Sequence, residues 1–146
     1  MKVRTSIIAA GAAAVLGTTG ALLVPAMASA NSATHTLKFI SVQKKSVQFT
    51  KTTIAQQDTD VNAAGKTVGF DMLYITFTSA TSATVNITGD LSGGFLYGTG
   101  KESKAGFSNG KVTGGTGAFK GATGTIKAKN LNKAGTRTAV TITYSG

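Results

Sequence analysis

The chain has 146 residues, with 15 lysines and arginines against 5 aspartates and glutamates, a formal charge of +10 at pH 7, and no cysteine. The missing thiols exclude disulfide staples, thiol catalysis and cysteine metal sites, so packing and a complete backbone hydrogen-bond ladder must hold the fold. The single histidine, His35, would have to carry a zinc site or a Ser-His-Asp triad alone, and a solvated terminal histidine is the simpler reading.

The N-terminus reads MKVR, then an uncharged apolar stretch from Ile7 to Val24, then AMASA with Ala28 and Ala30 at the small-residue positions of a secretory cleavage site. This predicts a signal peptide over residues 1–30 and a secreted, extracellular single domain over residues 31–146. The stretch approaches the roughly 18 apolar residues that would admit a membrane span, but Gly11, Gly17 and Gly20 interrupt it and the cleavage motif follows at once. No membrane span is expected after cleavage. Losing Lys2 and Arg4 still leaves a strongly basic chain whose charges, nearly all lysine, are scattered. That suits a diffuse field attractive to anionic polymers rather than bidentate base reading, so no specific nucleic-acid partner is expected.

Beyond the leader the apolar residues alternate, the period of strands. Thr34–Val42 and Ser46–Thr53 form either a hairpin or one long kinked strand, with KKS at 44–46 as a short connection or bulge. Ile54 to Lys66 reads as a polar loop. Its Asp58, Asp60 and Asn62 have the opening spacing of a calcium loop, but Ala63 and Gly69 stand where glycine and glutamate are required, so no metal is expected. Thr67 to Thr78 is the strongest strand. One face carries Val68, Phe70, Met72 and Tyr74, and the other carries Leu73, Ile75 and Phe77 with Asp71 among them. A strand apolar on both faces needs two covers, an interior on one side and a helix or second subunit on the other. Ser82–Leu91 and Gly93–Thr99 follow, the latter with Phe95 and Tyr97. Asn109-Gly110 then signals a hairpin between Phe107 and Val112, and Ala122–Asn130 and Thr136–Tyr144 close as a hairpin through LNKAG.

Between these last runs lies TGGTGAFKGATGT, Thr113 to Thr125, with five glycines around Phe119. Such density implies backbone conformations or close approaches that a Cβ would forbid. A phosphate cradle does not fit. After Gly115 and Gly117 the next glycine falls one position late at Gly121, the Gly100-Lys101 pair is preceded by Phe95 where a P-loop has glycine, and no helix follows either segment. No nucleotide or other cofactor is expected. Seven or eight short antiparallel strands predict an all-β fold, a small closed barrel or a β-sandwich. Closure is favoured because Val140, Ile142 and Tyr144 would otherwise form an apolar edge.

Two segments resemble a known family. Asp58 to Asp71, D-x-D-x-N-x-x-G-K-x-V-G-F-D, is similar to the part of bacterial allene oxide cyclase-like barrels where an acidic loop leads into a long strand. Gly110 to Thr125, GKVTGGTGAFKGATGT, is similar to their penultimate hairpin, a signature shared with dirigent proteins. The resemblance implies an antiparallel barrel of about eight strands with a ligand cavity inside and a trimeric assembly. Where dirigent proteins carry a His-Asp pair on the first strand, this chain offers Ile40 and Ser41.

Two functions stand at this point. One is a secreted barrel that binds a small apolar molecule and guides its cyclisation or coupling, an isomerase or cyclase-like role if enzymatic. The other is a non-catalytic, basic, surface-associated protein binding anionic cell-wall or membrane polymers. A hydrolase lacks a base for any nucleophile. For the first function Asp71 is the catalytic candidate, because an unpaired carboxylate within so apolar a strand is costly and burial would raise its pKa. Asn86, Tyr97 and Glu102 are the ligand-binding candidates. The competing reading places Asp71 near a strand end or against Lys66.

Overall fold

The computed structural model describes residues 33–103 and 106–146; the expected signal peptide and its cleavage site lie outside the described residues. Among these residues are eight strands: β1 (His35–Gln48), β2 (Thr53–Val61), β3 (Thr67–Ser79), β4 (Ser82–Leu91), β5 (Gly94–Ser103), β6 (Gly106–Gly115), β7 (Thr123–Asn130) and β8 (Arg137–Ser145). Each pairs antiparallel with the next, and β1 pairs with β8 to close the ring. The closing ladder sets Leu37 opposite Ile142 and Phe39 opposite Val140, so the apolar terminal strand has no free edge. Ring closure excludes the sandwich.

Alternation decides what faces inward. On β3, Asp71 and Ile75 are buried, while Phe70, Met72 and Tyr74 point outward and are 48%, 60% and 48% exposed. On the far wall Leu96, Val112, Ile126 and Ile142 pack into one cluster. Leu96 and Ile126 are buried almost completely, and each such side chain stabilises the fold by about 1.5–3 kcal/mol.

The structure decides one open alternative and corrects two sequence-based expectations. The KKS segment is a bulge within the single strand β1, where the register with β2 shifts between Gln43 and Lys45. The supposed polar loop from Ile54 is mostly β2, paired on both sides. Its Gln56, Asp58 and Asp60 alternate as a strand's do, with the polar face turned inward. Asn109-Gly110 is not a hairpin turn but lies inside β6, where the register with β7 shifts between Phe107 and Gly110. A Cβ on Gly110 would sit 2.7 Å from the Phe107 ring and 3.0 Å from Ile126 Cβ, so glycine serves close packing there.

The glycine-rich segment becomes the last residues of β6, a 3₁₀ turn over Gly117–Phe119, and the entry to β7. It is tied to the β4–β5 turn by Ala118 N–H donating to Gly93 O (2.8 Å) and Thr116 N–H donating to Phe95 O (2.8 Å). Phe119 is buried in the core cluster and meets Tyr144 edge-on, ring centroids 5.5 Å apart. The loop therefore acts as a plug at this end of the barrel.

Candidate functional site

The barrel encloses a cavity of about 80 Å³. One wall, from β5 to β8, is apolar: Leu96, Phe107, Ile126, Val140 and Ile142. The opposite wall carries Ser41 of β1, Gln56 and Asp58 of β2, and Asp71 of β3, and Glu102 of β5 also faces in. A second concavity of about 520 Å³ shares Gln56, Ile75, Glu102, Asn130 and Gly135 with the first; it forms the mouth. Pockets for drug-sized ligands measure roughly 300–1,000 Å³, so the inner cavity fits a small ring and a larger ligand would extend into the mouth.

The chain has five acidic side chains, Asp58, Asp60, Asp71, Asp90 and Glu102. Asp58, Asp60 and Asp71 are 3%, 0% and 7% exposed, Glu102 lines the cavity, and Asp90 is exposed on the outer surface. Among the described residues no lysine or arginine lines the inner cavity. Asp58 and Asp71 stand directly opposite on β2 and β3, an arrangement that is destabilising for two charges. Ser41 links them: its hydroxyl lies 2.8 Å from Asp58 Oδ2 and 3.1 Å from Asp71 Oδ2. Gln56 Nε2 donates to Asp58 Oδ2 at 2.9 Å. A hydroxyl has one proton to give, so it cannot fully satisfy both carboxylates, and protonation of one relieves the conflict.

The electrostatics agree with that reading. Burial, the Asp71 charge, a side-chain hydrogen bond with Asp71 and the Asp58 charge push Asp60 up to about 8, opposed by a hydrogen bond from Ser41. Burial and the Asp58 charge push Asp71 up to about 6, opposed by hydrogen bonds from Ser41 and Asp60. Burial also raises Asp58, while its Ser41 and Gln56 bonds act in the other direction. Glu102 is raised by burial and then by the Asp58 charge. Around neutrality the cluster therefore holds a proton between Asp60 and Asp71. Among the described residues, Asp58 Oδ1 and Asp71 Oδ1 still find no hydrogen-bond donor. Among the described residues no three acidic or histidine groups converge as a metal site; the carboxyls are joined pairwise.

Of the residues singled out from sequence, Asp71 and Glu102 face the cavity. Asp71 is in mid-strand, bonded to Ser41 and away from Lys66. Asn86 and Tyr97 do not reach the interior. Both are exposed on the outer face, because Ala83, Val85 and Ile87 take the inward parity of β4 and Leu96 takes that of β5. His35 is exposed and stacks on Tyr144 at 5.3 Å. Ser41, Gln56, Asp58 and Asp60 were missed. Their signal was the strand parity of Gln56-x-Asp58-x-Asp60, hidden because a polar run between turn-forming residues resembles a loop.

No protein-family model and no curated protein matches the sequence. Solved structures match by shape. A pyocyanin demethylase superposes with a TM-score of 0.60 at 18% identity, over 76% of this chain and 100% of its own. AbnU, an exo-specific intermolecular Diels-Alderase, gives 0.61 at 10% identity, over 78% and 99%. The pterocarpan synthase dirigent protein GePTS1 gives 0.56 at 17% identity, over 77% and 83%. At such identities the likeness is one of fold.

Proposed function

From the barrel fold that this chain shares with the allene oxide cyclase and dirigent-like proteins, we propose that its interior binds a small, largely apolar molecule and guides a cyclisation or coupling of it. The observation that carries this reading is the pairing of an apolar cavity with buried carboxyl oxygens that lack donors. The names of the solved neighbours, a demethylase, a Diels-Alderase and a pterocarpan synthase, all denote reactions on small molecules. The barrel's part is to hold the reactant in one geometry, a contribution that needs few catalytic groups. Asp71 supplies the chemistry. Its protonated carboxyl donates to a carbonyl or leaving oxygen, and its carboxylate takes the proton back.

To test this, the pure protein is incubated with a lipid and metabolite extract, re-isolated, and its bound molecules identified by mass spectrometry. With that ligand, Asp71→Asn is expected to lower turnover or affinity by about 10-fold or more, whereas Asp90→Asn, which removes an exposed charge, leaves both unchanged. Asp58→Asn is unsuitable as the control because Asp58 belongs to the cluster. A barrel that retains nothing, or equal behaviour of the two variants, removes Asp71 from the reaction.

One observation favours the basic-surface reading as a second role. With four of the five acids turned inward, the outer lysines are almost uncompensated, and salt-sensitive retention on an anionic wall polymer would follow. Secretion belongs to the same proposal. N-terminal sequencing of exported protein is expected to read from Asn31, and a start within Ile7 to Val24 would indicate a retained anchor instead.

Assembly is also proposed. Phe95 and Tyr97 of β5 are exposed beyond the polar outward side chains Asn86, Thr88 and Asp90 of β4, and Phe70, Met72 and Tyr74 form an exposed apolar stripe on β3, with Phe49 6.5 Å from Tyr74 between ring centroids. A second copy of the chain, in a trimer by fold resemblance, would cover the stripe. Phe70→Lys is expected to shift the solution mass toward monomer in sedimentation. A wild type that is monomeric at high concentration sinks the assembly.

A further inference from the structure

We infer that the interior selects a ligand bearing a basic nitrogen, an apolar amine or nitrogen heterocycle bound as its cation, over neutral or anionic molecules of the same shape. This deepens the reading of the barrel as a small-molecule site and rests on it. The cavity offers carboxyl groups with no cation among the described residues to match them. Asp58 and Asp71 line it, each more than nine-tenths buried, and each leaves an Oδ1 without a donor. Glu102 faces the same space from β5. Gln56 and Ser41 are already committed to the Oδ2 atoms. What would satisfy the remaining oxygens is a group with several N–H donors and a positive charge. The apolar far wall of Leu96, Phe107, Ile126 and Ile142 suits the hydrocarbon part of the same molecule. An anionic ligand would meet carboxyl groups and, among the described residues, no cation.

Charge placement makes the selectivity testable. The outside of the molecule is basic, so a ligand chosen by the long-range field would be an anion. That field is screened within roughly 8 Å at physiological salt, whereas the buried carboxyls act at contact. The proton inventory follows from the chemistry. When an ammonium ion enters, the O–H bond of the shared Asp60–Asp71 proton breaks and the proton leaves to solvent, while the ammonium N–H groups donate to the freed carboxylate oxygens. When the neutral amine enters, the same proton moves to its nitrogen.

Three probes of nearly equal size separate the cases: benzylamine, benzyl alcohol and benzoate, titrated at pH 7 and 0.15 M salt and followed by the methyl resonances of Leu96 and Ile126. Calorimetry in two buffers of different protonation enthalpy counts protons. The expected result is that benzylamine binds at least about 10-fold more tightly than benzyl alcohol, benzoate binds weakest, and amine binding releases protons. Asp58→Asn and Asp71→Asn should each narrow the preference to about 3-fold or less, while Asp90→Asn retains it. If benzyl alcohol or benzoate shifts the same methyls with equal or tighter binding, the cavity stands and the selectivity is overturned. If no probe shifts them, the cavity reading falls and the selectivity falls with it. Should either asparagine variant fail to fold, the order of the three probes and the proton count in the wild type still decide.

Discussion

The wild-type protein is expected to melt at a lower temperature at pH 8 than at pH 5, and Asp60→Asn to remove most of the loss between pH 6 and pH 8. Asp60 is raised from 3.8 to about 8 in the folded chain, with burial as the main cause. A carboxyl raised on folding binds more protons in the native than in the unfolded state over that interval, so the slope of unfolding free energy with pH is negative. Stability is greatest below the unfolded value and declines up to the folded one. Asp71, raised to about 6, adds a decline that ends earlier, which is why the Asp60 variant should isolate the upper part. The loss for the wild type should be on the order of 3 kcal/mol, or about 10 °C or more in a domain of this size. The usual opposing effect, weakening in acid as paired surface carboxylates are protonated, is small here because Asp90 is the only acid on the outer face among the described residues. Thermal melts of both proteins from pH 5 to pH 8.5 check it. A wild-type curve that is level or rises with pH would show that the carboxyls are ionised at no cost and that the cluster stores no proton.

Alanine at Gly117 or Gly115 is expected to cost about 2–4 kcal/mol each, the sum of strain and overpacking. The two act for different reasons. Gly117 has φ of +56°, a left-handed conformation that side chains disfavour, and an added Cβ would collide with Gly93 O of the β4–β5 turn. Gly115 has no positive φ; there a Cβ would stand 2.5 Å from both Phe119 Cβ and Phe95 O. Relieving either clash means lifting the plug, so Phe119 would lose its place in the core. Denaturant melts of the two variants measure the cost. Gly65→Ala offers a useful contrast: φ is +77° but nothing lies within 4 Å of the new Cβ, so only the conformational strain of roughly 1 kcal/mol should be seen. Equal losses at all three positions would mean that the steric contacts to the plug contribute nothing.

The strand alternation from Thr34 onward was enough to read most of the barrel. Thr67–Thr78 and Ser82–Leu91 match β3 and β4 closely, because apolar and β-branched side chains repeat with a period of two and glycine or serine bounds them. β2 escaped for a physical reason. Its buried side is polar, and a rule that equates inward with apolar assigns Gln56, Asp58 and Asp60 to solvent. The Asn109-Gly110 pair misled in the opposite way, since a glycine kept for contact with Phe107 and Ile126 looks the same in sequence as one kept for a turn.

The candidate site divides along the same line. Asp71 was legible as the single charge in the most apolar strand, a local conflict visible in a few residues. Asn86 and Tyr97 were chosen by chemistry alone, and strand parity sent them outward.

Composition and periodicity by themselves determined an all-β chain without disulfides, strongly basic, with a glycine-rich segment of special backbone geometry. These properties are local and additive, so they survive without knowledge of which strands meet. Only the tertiary structure decided that four of five acids turn into the interior of a closed ring. Ser41 and Asp71 are brought within hydrogen-bonding distance by the registers of β1, β2 and β3, and the resulting shared proton is a property of long-range pairing and burial that no window of sequence contains.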